Sequence, residues 1–182
     1  MDDEFRIDFL DLLGHLPPSE QTLGRLGMAR LPGYDPSNLG RDIEALRAAK
    51  TALLVTLVME AELHWIPGLM RDDIGFFPML IRSGIVHRHF PIVGMGVPSS
   101  MRDFAELVDE VASRLMSGQN VVIHCLAGLG RTGLLAACCL VRLGLTPPEA
   151  MRAIRRVRPG TIETDSQEGF VERFAEHLAA QD

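Results

Sequence analysis

The sequence predicts an α/β fold, a three-layer arrangement with a mostly parallel central sheet of about four or five strands and helices on both faces. Three observations carry that prediction. Apolar runs of strand length alternate with helical patterns along most of the chain. Ala52-Leu-Leu-Val-Thr-Leu-Val58 is a continuous apolar run, as expected of a central strand in a parallel sheet. Val121-Val122-Ile123 runs into a glycine-bearing loop, and an apolar helical run from Leu134 to Leu143 leaves it. The 182 residues suit one domain with a real core, residues 1–50 forming an N-terminal hairpin region and first helix and 51–182 the main body.

The elements follow in order. Phe5 to Leu12 alternates weakly and reads as a strand or a short helix. Gly14 to Gly40 is rich in Gly and Pro, with Arg25 to Leu31 as a strand inside it. Ser37-Asn38 caps a helix running through Ala49. After the Ala52–Val58 strand, Glu60 to Pro67 reads as a polar turn at its C-terminal end. Ile74 to Arg82 is helical and closes at Gly84, and Ile85 to Ile92 returns as a strand. Ser99-Ser100 caps an amphipathic helix with Phe104, Leu107, Val108, Val111 and Leu115 on one face, ended by Gly118. Val121–Cys125 is the next strand, and the helix to Leu143 is apolar enough to be buried on most sides. Pro147-Pro148-Glu149 starts a helix that Pro159-Gly160 ends, and Asp165 caps a last one through Ala180.

Composition narrows the function. A net charge of −6 argues against non-specific binding to nucleic acid or anionic membrane, while leaving room for a local basic site. The longest apolar run, Gly133 to Val141, is too short to span a bilayer, and the acidic start Met1-Asp2-Asp3-Glu4 is unlike a secretory signal. Three cysteines without paired spacing point to a reducing compartment, hence a cytoplasmic protein. Cys138 and Cys139 read as small buried hydrophobes, and the six histidines form no zinc pattern. Arg152, Arg155, Arg156 and Arg158 read as a solvated basic face, with a docking surface for an acidic substrate as the sharper alternative. The oligomeric state is left open.

The chemistry concentrates in His124-Cys125-Leu126-Ala127-Gly128-Leu129-Gly130-Arg131-Thr132-Gly133. A loop at a helix N-terminus aims backbone N–H groups and positive partial charge at one point, which suits a phosphate and favours a thiolate. Cys125 is then the nucleophile. Arg131 suits bidentate binding of two phosphate oxygens, and the amides from Leu126 through Ala127, Gly128, Leu129 and Gly130 to Arg131 would form a concave nest for the rest. Thr132 can donate to the sulfur and help it leave in a second step, and His124 orients the loop. No metal or cofactor is needed. Gly128 to Gly133 also satisfies G-x-G-x-x-G, but it lies too late in the chain for a two-half dinucleotide domain, and no acidic residue ends a second strand about twenty positions on. A Walker loop would need Lys-Ser or Lys-Thr after the last glycine, where Leu134-Leu135 stands.

The His-Cys-x5-Arg-Thr-Gly string resembles the signature of the cysteine-dependent tyrosine and dual-specificity phosphatases. Ile85 to Pro98, the helix Met101–Ser117, and Arg158-Pro159-Gly160 through Gln167 to Phe170 are similar in order and spacing to kinase-associated phosphatase and its compact bacterial relatives. The resemblance implies a dual-specificity-phosphatase-like fold and hydrolysis of phosphate monoesters, with a phosphorylated protein as the expected substrate, through a phosphocysteine. It also implies that Gln167 positions the attacking water, with Glu163 near the same site. The relatives carry an aspartate general acid in a Pro-Ile-x-Asp-x-Gly-x-Pro pattern. Here the segment reads Pro91-Ile92-Val93-Gly94-Met95-Gly96-Val97-Pro98, so Gly94 stands at the acid's position. Glu60 and Glu62, after the Ala52–Val58 strand, are the best placed replacements by topology, followed by Asp72, Asp73 and Asp103. The alternatives are an enzyme restricted to low-pKa leaving groups, one acting on a non-protein phosphate ester, or a phosphate-binding module with weak turnover. The recognition loop that deepens the pocket of tyrosine-only enzymes finds no match, and Tyr34 is the only tyrosine.

Overall fold

The computed structural model describes residues 5–12, 14 and 23–181. The acidic start and much of the predicted hairpin connection, at 13 and 15–22, lie outside the described residues. Five strands, β1 (Ile7–Leu10), β2 (Leu26–Ala29), β3 (Thr51–Thr56), β4 (Val86–His89) and β5 (Asn120–His124), form one sheet in the order β1-β2-β5-β3-β4. β1 pairs antiparallel with β2, and every other pairing is parallel. The weakly alternating Phe5–Leu12 segment is thus an edge strand.

The apolar runs go to the middle of the sheet because both of its faces are covered. Val121, Val122 and Ile123 of β5 are fully buried, as are Leu53, Leu54 and Val55 of β3. β4 is the opposite edge, and its Val-His-Arg-His sequence alternates exposed and half-buried. In register, Ala29 and Thr56 flank His124, and Thr56 also faces His89. The parallel strands therefore end level, and the loops after β2, β3, β4 and β5 share one rim. Ligands of such sheets bind beyond the C-terminal strand ends.

Seven helices complete the described fold: α1 (Leu39–Ala48), α2 (Glu60–His64), α3 (Phe76–Ser83), α4 (Met101–Met116), α5 (Gly130–Arg142), α6 (Pro147–Val157) and α7 (Asp165–Ala179). α5 is the hub of one layer, packed against α4, α6 and α7, and every residue from Gly130 to Val141 is buried. Burying a Leu or Val fully is worth about 1.5–3 kcal/mol, so this helix anchors the loop that precedes it. Phe104 of α4 meets Phe90, Phe170 and Phe174 edge to face at 5.9, 5.3 and 5.9 Å, tying α4, α7 and the end of β4 together. α1 and α3 pack on each other and against β3 and β4.

Three local expectations need correction. The segment Glu60–Pro67 is not a plain turn, because its first five residues form α2. Asp165 does not cap α7; Thr164 does, its side chain accepting from the Gln167 amide, and Asp165 begins the first turn. Asn38 makes no side-chain cap for α1, which follows a short 3-10 turn capped by Asp35. Ser100 caps α4 as expected by accepting from the Asp103 amide at 3.2 Å, and Gly84 closes α3 in the left-handed conformation.

Candidate active site

β5 sits between two parallel neighbours, so the residue that leaves it emerges at the centre of the rim. That residue is Cys125, 3% exposed. The six residues that follow curl into the N-terminus of α5. Gly128 adopts φ 76°, and a Cβ there would lie 2.3 Å from the Ala29 carbonyl oxygen and 2.7 Å from Arg158 Nη2. Only glycine fits that turn.

Below the loop, His124 is fully buried and held neutral. Burial pushes its pKa down to about 3, the bond to the Cys125 carbonyl opposing this. Its ring contacts fix the direction of every proton. The Cys125 carbonyl oxygen can only accept, so Nδ1–H donates to it at 3.2 Å. Nε2 is then the acceptor, and the Thr56 hydroxyl donates to it at 2.7 Å. His87 Nε2–H in turn donates to Thr56 Oγ1 at 2.9 Å. A chain of three side chains thus pins the first carbonyl of the loop. His124 thus contacts the loop's backbone, and Thr56 and His87 are members of this chain that sequence reasoning missed.

Arg131, the second residue of α5, reaches across the rim to Glu62. Nη1 lies 2.6 Å from Oε2 and Nη2 2.8 Å from Oε1, and both side chains are more than nine-tenths buried. Nη1 also donates to the Ile92 carbonyl at 2.9 Å. The guanidinium has five N–H groups, and these contacts occupy its terminal end. The guanidinium also lies within hydrogen-bonding reach of the Cys125 sulfur. Burial opposes the guanidinium charge, but Glu62 and the Cys125 sulfur outweigh it and hold Arg131 above its ordinary range. The carboxyl of Glu62 is held below the ordinary glutamate value: burial raises it, and the bonds from Arg131 and the Met59 amide more than reverse that.

This arrangement removes Glu62 from the proton donors. Both of its oxygens accept from a cation, and it stays ionised. Glu60 is exposed on the first turn of α2. Asp73 accepts from the Ile74 amide and faces Arg71, and Asp103 lies in the first turn of α4. Gly94 lies in an exposed turn, and a Cβ built on it would stand 4.0 Å from Glu62 Oε1. Thr132 Oγ1 is buried with no hydrogen-bond partner among the described residues.

The outer side of the loop is held by Arg158, which the sequence placed on a solvated basic face. It donates to the Gly128 carbonyl at 2.6 Å and the Ala127 carbonyl at 3.0 Å, and pairs with the nearly buried Asp8 at 2.7 Å. Arg155 likewise turns inward, donating to the carbonyls of Thr161 and Ile162 and pairing with Glu168. Arg152 and Arg156 stay exposed. Gln167 is fully buried. Its Oε1 accepts from the Glu163 amide at 2.9 Å, and its Nε2 donates to the Gly96 carbonyl at 3.1 Å, joining the 160–164 segment to the 93–98 segment. Arg30 and Tyr34 line a groove of about 310 Å³ with Leu126 and Ala127 beside the loop.

A cysteine at the end of the central strand, a glycine-bearing loop and a buried arginine at the start of the next helix are the arrangement of a cysteine-type phosphatase. The comparisons place it further. A family model described as the DSP-PTPase phosphatase of polymorphic toxin systems matches residues 37–145. Cyclin-dependent kinase inhibitor 3 of Rattus norvegicus is 31% identical over 164 residues, spanning 85% of this chain and 74% of that protein. A solved structure of kinase associated phosphatase, with its catalytic-site cysteine changed to serine, superposes with a TM-score of 0.80 at 26% identity over 99% of both chains. The active form of Tk-PTP gives 0.69 at 28% identity over 84% of this chain and 92% of that one. The chain belongs to the dual-specificity branch of the protein tyrosine phosphatase family, as a relative of kinase-associated phosphatase. Among the described residues no helix is long and apolar enough to cross a membrane.

Proposed function

We propose that this phosphatase hydrolyses phosphate monoesters on proteins in two steps through a phosphocysteine at Cys125. The observation that carries the reading is the Arg131 guanidinium, buried beside the Cys125 sulfur and held in place by Glu62. In the first step the sulfur attacks phosphorus in line while the amides from Leu126 to Arg131 and the Arg131 guanidinium hold the three non-bridging oxygens. In the second, water attacks the phosphocysteine and the sulfur leaves, with the unpartnered Thr132 hydroxyl available to stabilise it. Gln167 acts as a positioning residue, setting the segment that carries Glu163. Gly94 leaves the usual acid's place without a proton.

A protein substrate is supported by the relatives, whose names describe a kinase-associated phosphatase and a cyclin-dependent kinase inhibitor. The test is rapid acid quench of the enzyme with a phosphotyrosyl and a phosphothreonyl peptide. Wild type should yield a cysteine-linked phosphate adduct and inorganic phosphate, and Cys125→Ser neither. Turnover that survives Cys125→Ser would overturn the reading. Release of phosphate from inositol or sugar phosphates but from no peptide would move the substrate class. Peptide binding without phosphate release from wild type would leave a phosphate-binding module.

A further inference from the structure

We propose that Glu163 carries the proton for the leaving group, the task for which position 94 has no side chain. The proposal rests on the phosphocysteine reading above. Four observations support it. Glu163 Oε2 accepts from the Gly130 amide at 2.7 Å. That amide is the first of α5 and one of the donors assigned to phosphate, so this carboxylate lies at the mouth of the anion nest itself. The backbone is built to keep it there. Ile162, immediately before it, adopts φ 60°, a left-handed conformation that a β-branched residue avoids. Such strain persists only where the surroundings enforce it, and it gathers at functional sites. Arg155 holds the Ile162 carbonyl on one side, and Gln167 holds the Glu163 amide on the other. Gly130 is the loop residue facing it, and a Cβ there would lie 2.5 Å from Glu163 Oε2. Finally, Glu62, the rival with the best topology, is committed to Arg131.

The chemistry follows from two anions meeting in one nest. Phosphate entering the nest takes the Gly130 amide from Glu163 and leaves that carboxyl at the mouth, beside the departing oxygen. In the first step the Cys125 sulfur forms its bond to phosphorus, the phosphorus–ester oxygen bond breaks, and the departing oxygen takes the Glu163 proton. In the second, the Glu163 carboxylate takes a proton from water as that water's oxygen bonds to phosphorus and the phosphorus–sulfur bond breaks. The products are inorganic phosphate and the regenerated thiolate with protonated Glu163. No further reactant is required.

The experiment measures kcat/KM for aryl phosphates of increasing leaving-group pKa, together with tungstate affinity, for wild type, Glu163→Gln and Glu163→Asp. Glu163→Gln should lose about 10²–10³-fold on phenyl phosphate and progressively less as the leaving group becomes more acidic, so that its profile is steeper than wild type. Glu163→Asp should recover part of the loss, and Glu60→Gln should keep the wild-type slope. A uniform loss across the series, or none, would overturn the proposal. So would faster turnover with tighter tungstate binding in Glu163→Gln, since Glu163 would then be a plug in the nest. These failures differ from failure of the underlying reading, in which Cys125→Ser keeps turnover or wild type forms no cysteine adduct.

Discussion

Glu62 and Glu163 both reach the rim of the same loop, and their surroundings make them different instruments. Glu62 is 6% exposed, and both of its oxygens face one guanidinium. Glu163 is exposed, and one of its oxygens rests on a backbone amide. Burial against a cation fixes a carboxylate in the charged state and turns it into a strut. The other is exposed and rests on a neutral donor. The same side chain thus holds Arg131 still in one place and carries protons in the other.

Glu62→Ala should give the largest effect. It strands a buried guanidinium, and removing one partner of such a pair costs about 3–5 kcal/mol. The denaturation midpoint would read that loss, and a variant as stable as wild type would mean that water or another group already serves Arg131. Arg131→Lys comes next. It keeps the charge but loses both forks, so kcat/KM should fall about 10²–10³-fold, equally across leaving groups. Equal loss is the signature of phosphate binding, in contrast with the sloped loss expected at Glu163. A sloped loss for Arg131→Lys would erase the distinction between the two carboxylates.

Gly128→Ala tests the turn that carries the nest. Its φ of 76° and the 2.3 Å approach to the Ala29 oxygen should cost about 1–3 kcal/mol and weaken tungstate binding. Arg158→Ala removes the outer brace and should cost about 1–2 kcal/mol, with a rise in KM and little change in leaving-group slope. Activity measured beside thermal unfolding would separate the two consequences.

A further effect is on the pH dependence of stability. Burial, with a minor push from His89, holds His87 at about 4 against an ordinary 6.5. The unfolded chain therefore takes up its proton first as pH falls. The stabilisation is complete above 6.5 and is lost progressively toward 4, with a slope that can approach about 1.4 kcal/mol per pH unit. His87→Gln should lessen the slope of urea midpoints in that window, His124 keeping its own share, and an unchanged pH profile would mean that His87 is already charged in the fold. Glu62 acts lower down. Its stabilisation is present above the ordinary 4.5 and fades as pH drops through its depressed value, so Glu62→Gln should remove the acid limb there.

The chain by itself determined the elements and the loop. Alternating apolar strands and helices, with Val121–Ile123 feeding a glycine-bearing turn, were legible because those signals are local and periodic. The strand–loop–helix segment that carries Cys125 and Arg131, six residues apart, was legible for the same reason. Roles that depend on distant partners were not legible. Glu62 and Arg131 are 69 residues apart, Arg158 and Gly128 30, and Glu163 and Gly130 33. Nothing in local composition distinguishes a strut from a solvated charge at these positions. Only the folded sheet, by ending its parallel strands level and bringing their loops to one rim, decided which glutamate would be buried against a cation and which would face the nest. A carboxylate's function is set by desolvation and by the charge beside it, and those exist only once the chain has closed around it.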